Sequence, residues 1–295
     1  MPAPRLRTWL QLLRAPNLFT VPGDPLAGFL LASGGALHVG VIFAILASLC
    51  LYAGGLLLND LFDLAEDRAE RPNRPLPSGA ASPRIVRLVA IALLLIGLSF
   101  ALLTGPNGAC AALALAGAIV TYNAWAKRIP IVGSLVMGLC RGLSVLIGAL
   151  AAAGSPGPSA FVAAAIVALY IACVTNLARH ETHASAPTWA KLLPPVPILA
   201  ALLVFLGSGE AGWRYPAPAT FAIALAVVMF ETARLFRQPA PPLPPVIGSL
   251  IRTLLILQSA FCMVHRPGPL SLLVALALLA FWPMSYSVSR KFYAS

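Results

Sequence analysis

Long runs of apolar residues, separated by short polar or turn-forming stretches, cover most of the chain. A helix that crosses the hydrocarbon core of a bilayer needs about 20 such residues. Ten runs approach that length, at roughly 17–35, 40–60, 84–104, 108–126, 131–153, 159–178, 190–208, 217–235, 244–263 and 269–288. The breaks between them are rich in glycine and proline. The pattern predicts an all-α, polytopic membrane helix bundle of about nine or ten spans, formed by residues 1–295 as a single domain.

The first apolar run carries its own interruption. It contains the sequence Val21-Pro22-Gly23-Asp24-Pro25, and proline removes a helical hydrogen-bond donor and clashes with the preceding turn. We therefore expect this run to kink or break. The basic stretch before it, residues 1–16, is only moderately apolar and shows no cleavable signal peptide. Its leucine and tryptophan pattern predicts an amphipathic helix lying on the membrane surface.

Composition and charge agree with a membrane protein and indicate its orientation. The chain is 59% hydrophobic and 10% charged, whereas a soluble domain has about 25% charged residues. With the N-terminus in the cytoplasm, that side receives sixteen of the 20 Lys and Arg residues, and the other side receives only Arg214 and Arg266. We attribute the net charge of +11 to this topology and to anionic lipid, and not to nucleic acid.

The acidic residues are concentrated in one place. Five of the nine lie between Asp60 and Glu70, at the end of the second apolar run. If the helix continues, the spacing i, i+1, i+4 and i+8 puts four oxygen-bearing side chains on one face: Asn59, Asp60, Asp63 and Asp67. Mg²⁺ would relieve their repulsion, and it takes hard oxygen ligands together with phosphates. The alternative is a solvated loop whose acids pair with its own arginines.

Two further polar clusters end other apolar runs. Arg71 and Arg74, just beyond the acids, could hold a phosphate. Lys127 follows the fourth run, either as a site residue or only as a positive charge that sets topology. The sixth run ends in a polar cluster on the same side of the membrane as the acidic residues that end the second run. The ends of the second and sixth runs are therefore predicted to face one cavity. That cluster contains Asn176, Arg179, His180 and Glu181.

Two arginines, Arg141 and Arg252, lie well inside predicted spans. Arg141 falls inside the fifth apolar run, where a charge costs about 2.5–3.5 kcal/mol on insertion scales and therefore indicates a functional residue. The alternative is a buried ion pair with Asp24 of the first run.

These motifs together resemble those of the UbiA superfamily of intramembrane prenyltransferases. The resemblance rests on Asn59-Asp60-x-x-Asp63-x-x-x-Asp67, followed by the stretch from Arg71 to Gly79, and it extends to the segment 122–128 and to Arg141-Gly142. It implies a helical bundle whose cavity opens to the lipid and binds a polyprenyl diphosphate through Mg²⁺. Asn59, Asp60, Asp63 and Asp67 would hold the metal.

The resemblance also assigns roles to the cationic residues and to the chemistry. Arg71, Arg74, Lys127, Asn176 and Arg179 would contact the diphosphate, and the catalytic prediction comprises Asp60, Asp63, Lys127 and Arg141. Loss of diphosphate would leave an allylic cation that an electron-rich acceptor attacks. Aromatic side chains could stabilise that cation, and the candidates are Tyr122, Trp125 and Tyr170.

The second motif departs from the family pattern. Asn176 and Arg179 fit, but His180 and Ala184 stand where two aspartates are expected, and Glu181 is the remaining acid. This combination is similar to the EboC-like branch of the superfamily. The expected function is Mg²⁺-dependent prenyl transfer to an aromatic or other small or lipid acceptor. The alternative is an altered member of the superfamily that binds or exports a lipid-linked metabolite.

Overall fold

A computed structural model describes residues 6–181, 186–207, 216–265 and 268–291. Within these ranges the chain is helical and contains no strand. The predicted outer charges Arg214 and Arg266, together with Ala184, lie outside the described residues. The helices are α1 Leu6–Leu12, α2 Ala15–Leu18, α3 Gly23–Ser33, α4 Gly40–Phe62, α5 Leu64–Glu70, α6 Pro83–Leu102, α7 Pro106–Ala124, α8 Pro130–Ala153, α9 Pro158–Ala178, α10 Thr188–Leu192, α11 Pro195–Gly207, α12 Pro216–Arg234, α13 Leu243–Cys262 and α14 Pro269–Ser289.

Nine helical stretches in the described part of the chain are long and apolar enough to cross a membrane. They are α4, α6, α7, α8, α9, the joined pair α10–α11, α12, α13 and α14. Their outer faces expose large apolar side chains such as Leu88, Leu95 and Leu273, as expected where lipid replaces water. The structure therefore confirms the predicted all-α, polytopic membrane bundle.

The first predicted span is not a continuous helix. Residues 17–35 divide between α2 and α3, and α3 has only 11 residues. At 1.5 Å per residue this helix is roughly 16 Å long, about half the hydrocarbon thickness. The break precedes Pro22 and Pro25, which occupy the cap and first turn of α3, where a missing N–H is tolerated. The predicted interruption is confirmed, and of the nine or ten predicted spans the described residues contain nine of full length.

The N-terminal helix contributes to the protein's own core. Leu12 at the end of α1 is buried in a cluster with Leu57 of α4 and Leu76, and Trp9 and Leu13 pack against the same cluster. Leu6 is exposed. The predicted amphipathic helix thus has part of its apolar surface on α4 and the loop that follows α5.

Helix α8 lies at the centre of the bundle and packs against α3, α4, α7 and α9. Its contact with α3 is made by backbone. A Cβ atom at Gly148 would lie 2.0 Å from the carbonyl oxygen of Pro25, and one at Gly28 would lie 1.9 Å from that of Val145. Close approach through small residues is the usual mode of helix association in membranes. It fixes α3, and with it the polar residues at its start, against α8.

We expect the substitution Gly148→Ala to destabilise the bundle by about 1–3 kcal/mol, because the added methyl group meets backbone that cannot yield without separating the helices. Gly117→Ala is the matched control, since no heavy atom outside its own helix lies within 4 Å of a Cβ built there. Thermal unfolding of the purified proteins in detergent measures the difference. Equal midpoints for the two variants would contradict the close packing of α3 on α8.

Candidate active site

A cavity of about 800 Å³ lies between the N-terminal segment and helices α4, α7, α8, α9 and α13. Its inner walls are largely apolar and include Leu56, Leu115, Ile119 and Ile247. Its charged lining contains eight cationic and three acidic side chains, an imbalance that favours a strongly anionic ligand. They are Arg14, Arg71, Arg74, Lys127, Arg128, Arg141, Arg179 and Arg252, with Asp63, Glu66 and Glu181.

The acidic motif spans a junction between two helices. Helix α4 ends at Phe62 and α5 begins at Leu64, yet backbone hydrogen bonds of helical spacing continue across Asp63. The amide nitrogen of Asp63 lies 3.0 Å from the carbonyl oxygen of Asn59, and that of Asp67 lies 2.8 Å from the carbonyl oxygen of Asp63. The Asn59 Nδ2 also donates to Asp63 Oδ2 at 3.1 Å. The helical path therefore carries the motif from the membrane span into the loop.

Each carboxylate of the motif is paired with a different cation. Asp67 accepts two hydrogen bonds of 2.9 Å from Arg74 Nη1 and is 4% exposed. Asp63 pairs with Lys127, which stands after α7, 64 residues away in sequence. Asp60 Oδ1 lies 3.5 Å from Nη2 of Arg14. The sequence alternative of acids paired with the motif's own arginines holds for Asp67, whereas the partners of the other two come from distant segments.

The predicted metal ligands do not all face the cavity. Asn59 and Asp63 line it, while Asp60 and Asp67 do not. Asp60 nevertheless interacts electrostatically with Asp63 and Asp67, and Asn59 bonds to Asp63, so the motif stays together and its four-ligand metal set remains a prediction. The carboxylate of Asp67 is covered by its ion pair with Arg74, and that of Asp60 pairs with Arg14. In the described part of the chain, no three His, Cys, Asp or Glu side chains are grouped closely enough to hold a metal ion.

The predicted cationic residues do converge on the cavity. Arg71, Arg74, Lys127 and Arg179 all line it, so the ends of α4, α7 and α9 share one space, as the sequence predicts. Arg179 Nη1 donates to the carbonyl oxygen of Lys127 at 2.7 Å. This bond ties the end of α9 to the segment that carries Lys127.

The second motif is split between the cavity and its surroundings. Glu181 lines the cavity, but Asn176 and His180 do not, and the ring of His180 packs edge-on against Trp189 with centroids 6.5 Å apart. Burial raises the pKa of the Glu181 carboxyl, and Arg71, Arg14 and Arg74 lower it in part. Glu181 therefore interacts electrostatically with the same arginines that surround the first motif.

Arg141 forms the ion pair that the sequence offered as the alternative to a functional role. Its Nε lies 2.8 Å from Asp24 Oδ2, and its Nη2 donates to the carbonyl oxygen of Thr20 at 2.9 Å. Gln258 Nε2 donates to Asp24 Oδ1 at 2.6 Å and to the same Thr20 carbonyl at 2.8 Å. The guanidinium also lies over the ring of Tyr52, 5.8 Å from its centroid. Arg141 thus lines the inner end of the cavity. It also bridges the break between α2 and α3, because it bonds to Thr20 in the break and to Asp24 of α3.

The three aromatic candidates occupy different surroundings. Tyr122 lines the cavity. Tyr170 is fully buried in the core, and its hydroxyl donates to the carbonyl oxygen of Leu250 at 2.6 Å. Trp125 is 51% exposed and does not line the cavity. Of these rings, only Tyr122 is placed to meet a ligand in the cavity.

Sequence reasoning missed Arg14 as a residue of this site. Arg14 is one of many basic residues near the predicted membrane surface, and only the fold brings it to Asp60 and the cavity. A second cavity arginine, Arg252, was visible as a charge inside a predicted span. Its guanidinium lies over the ring of Tyr286, 5.4 Å from the centroid.

Comparison with known proteins gives a consistent assignment. Residues 25–243 match the sequence model of the UbiA prenyltransferase family. Digeranylgeranylglyceryl phosphate synthase of Methanopyrus kandleri is 30% identical over 251 residues, which cover 82% of this chain and 81% of that protein. The synthase of the same name from Ignicoccus hospitalis is 34% identical over 176 residues, 59% of this chain and 57% of that protein.

Solved structures share the fold. A UbiA homolog from Aeropyrum pernix K1 aligns with a TM-score of 0.69 at 20% identity, covering 84% of this chain and 97% of that one. A UbiA homolog from Archaeoglobus fulgidus bound to GPP and Mg²⁺ aligns with a TM-score of 0.61 at 16% identity, covering 95% and 99%. The family match over most of the chain agrees with the motifs around Asn59 and Lys127, and the protein belongs to the UbiA prenyltransferase family.

Proposed function

We propose that this protein transfers a prenyl group from a polyprenyl diphosphate to a small or lipid acceptor, with Mg²⁺ bound at the first motif. The observation that carries the proposal is the cavity itself. At one end it joins Asn59 and Asp63 to Arg71, Arg74 and Lys127, and its inner walls are largely apolar. That combination suits a ligand with a diphosphate head and a hydrocarbon tail.

The first motif suits Mg²⁺ by its donor chemistry. Asn59, Asp60, Asp63 and Asp67 offer the hard oxygen atoms that this ion prefers. Three of the four now pair with Arg14, Lys127 and Arg74, and these pairings support the binding of a cation by this group. When bound, Mg²⁺ would supply charge neutralisation for the departing diphosphate.

The cationic residues hold the donor. Arg71, Arg74 and Lys127 bind the diphosphate and stabilise the charge that grows as the bond to the prenyl C1 breaks. The diphosphate leaves with the bonding electron pair, the acceptor's nucleophilic atom bonds to C1, and the acceptor loses a proton. The apolar walls keep water from the allylic cation, and the face of Tyr122 stabilises it. Arg179 positions Lys127 through its backbone bond.

The second motif does not suit a second metal ion. His180 packs on Trp189 outside the cavity, and Glu181 is the acid that this motif places in the cavity. We therefore propose that one Mg²⁺ site suffices. Asn176, predicted to bind the diphosphate, lies outside the cavity lining, so Arg179 and Glu181 are the residues of this motif that act at the site.

Restoring the missing carboxylates tests this interpretation. The double variant His180→Asp, Ala184→Asp is expected to leave the Mg²⁺ concentration for half-maximal activity unchanged, because position 180 lies outside the cavity. His180→Asn with Ala184→Asn is the control, because it keeps the shape and omits the charge. If the aspartate variant alone needs less Mg²⁺, the second motif can hold a metal ion and the proposal of one site is contradicted.

The acceptor and the membrane side complete the proposal. The named relatives make digeranylgeranylglyceryl phosphate, and the aromatic acceptors expected from the sequence are the other class to test. We place the N-terminus and the polar end of the cavity on the cytoplasmic side. The basic residues that end α4, α7 and α9 support this orientation.

Product analysis tests the function. The purified protein would be given geranyl, farnesyl and geranylgeranyl diphosphate with Mg²⁺, and a panel of phenolic and glycerol-phosphate lipid acceptors. Mass spectrometry should detect an acceptor heavier by one prenyl group. Donor binding without any transfer product would instead favour the second candidate, a binding or export protein, for which the altered second motif is the supporting observation.

A further inference from the structure

Arg14 occupies an unusual backbone position beside the cavity. It lies between α1 and α2, before the residues 25–243 that match the family model. Its φ of 45° and ψ of 57° are left-handed, and no other non-glycine residue of the described chain has a positive φ. For a residue with a Cβ atom this conformation costs about 1–2 kcal/mol. Such strain persists only where the surrounding structure enforces it, and it gathers at functional sites.

The surrounding structure does fix this backbone on both sides. Leu12 is buried against α4, and the buried hydroxyl of Ser285 on α14 donates to the carbonyl oxygen of Pro16 at 2.8 Å. The amide nitrogen of Arg14 also lies 3.0 Å from the carbonyl oxygen of Gln11. Anchors on α4 and α14 therefore hold the backbone of this segment in the position from which the Arg14 side chain lines the cavity.

The charge pairing of Arg14 is loose compared with that of the other motif cations. Its Nη2 lies 3.5 Å from Asp60 Oδ1, whereas Arg74 contacts Asp67 at 2.9 Å, within the range of strong charge-assisted bonds. The Arg14 side chain is 31% exposed, and that of Asp60 is 14% exposed. Arg14 lines the cavity and Asp60 does not, so of this pair the guanidinium is the group in contact with the cavity. An anion arriving there meets Arg14 first.

We propose that Arg14 is a further diphosphate-binding residue, supplied by the N-terminal segment. It neutralises Asp60 before the donor arrives, and it contacts the diphosphate once the donor is bound. When Arg14 exchanges Asp60 for the diphosphate, Asp60 becomes available to a cation. Arg14 then joins Arg71 and Arg74 as a third arginine on the diphosphate. This inference rests on the proposed function, because it requires a diphosphate ligand.

Binding of inorganic pyrophosphate with Mg²⁺ tests the inference without turnover. Calorimetry on the full-length protein in detergent would compare wild type with Arg14→Ala, Arg14→Gly and Arg14→Lys. Loss of one charged hydrogen-bonding partner should weaken binding roughly ten- to a hundredfold in the first two variants, and lysine should restore part of it. Arg7→Ala is the control, because Arg7 is an exposed arginine in α1.

The glycine variant separates binding from folding. Glycine adopts a positive φ without strain, so Arg14→Gly should unfold at a higher temperature than Arg14→Ala while binding pyrophosphate as poorly. If wild type binds pyrophosphate and both Arg14→Ala and Arg14→Gly bind it as tightly as Arg7→Ala does, Arg14 does not bind the diphosphate. This inference is then overturned, while the proposed function stands. If wild type fails to bind pyrophosphate with Mg²⁺, the proposed function falls and the inference falls with it.

Discussion

Replacing Asp63 with alanine is expected to lower the rate of prenyl transfer about a thousandfold. Asp63 is the first-motif carboxylate that lines the cavity, and it contacts both Asn59 and Lys127. Its loss removes a metal ligand and leaves Lys127 without its carboxylate. Metal stabilisation of the leaving group is worth several kcal/mol, and each 1.36 kcal/mol is a factor of ten in rate. Product formation at saturating donor measures the effect.

The matched control for this substitution is Glu70→Ala. Glu70 is an exposed acid at the end of α5 that does not line the cavity, so its removal should leave the rate within about twofold of wild type. Both variants should be recovered from the membrane in wild-type amounts, since Asp63 is partly exposed and surface substitutions cost little stability. If Asp63→Ala retained its activity, the first motif would take no part in prenyl transfer.

Replacing Arg141 with methionine is expected to destabilise the protein by about 3–5 kcal/mol. The substitution keeps the apolar length of the side chain and leaves Asp24, which has no exposed surface, as an unpaired buried charge. Removing both charges should relieve this penalty. Arg141→Met with Asp24→Asn should recover most of the lost stability, because an asparagine oxygen can still accept from Gln258. Thermal unfolding in detergent compares the three proteins.

The same double variant decides between the two roles that the sequence left open for Arg141. If the stable double variant transfers prenyl groups at a rate near wild type, Arg141 closes the break between α2 and α3 and shapes the cavity. If it folds but loses transfer, Arg141 contacts the substrate or the reacting atoms. A single variant as stable as wild type would show that the Asp24 pair contributes no stability.

The helices were predictable from sequence because apolar runs and proline act locally. The break before α3 follows from Pro22 and Pro25, and the common end of α4, α7 and α9 follows from counting spans. The family followed from the spacing of Asn59 to Asp67. The predicted EboC-like branch stays a prediction, since the relatives reported above carry a different activity in their names.

The pairings inside the site were not predictable, because they depend on tertiary packing. Asp60 meets Arg14 across 46 residues and Asp63 meets Lys127 across 64, and no local pattern selects those partners. The cover that Arg74 gives Asp67 also depends on how the loop after α5 folds back. The packing of His180 against Trp189 likewise required α10 to be in place.

Release of diphosphate by the purified wild-type protein tests the central claim most directly. Geranylgeranyl diphosphate would be offered with an acceptor, once with Mg²⁺ and once with a chelator, and free diphosphate would be quantified over time. The account predicts release that requires Mg²⁺ and stops in Asp63→Ala. Release at the same rate in chelator, or no release from any prenyl diphosphate in the presence of Mg²⁺ and a full acceptor panel, would contradict it.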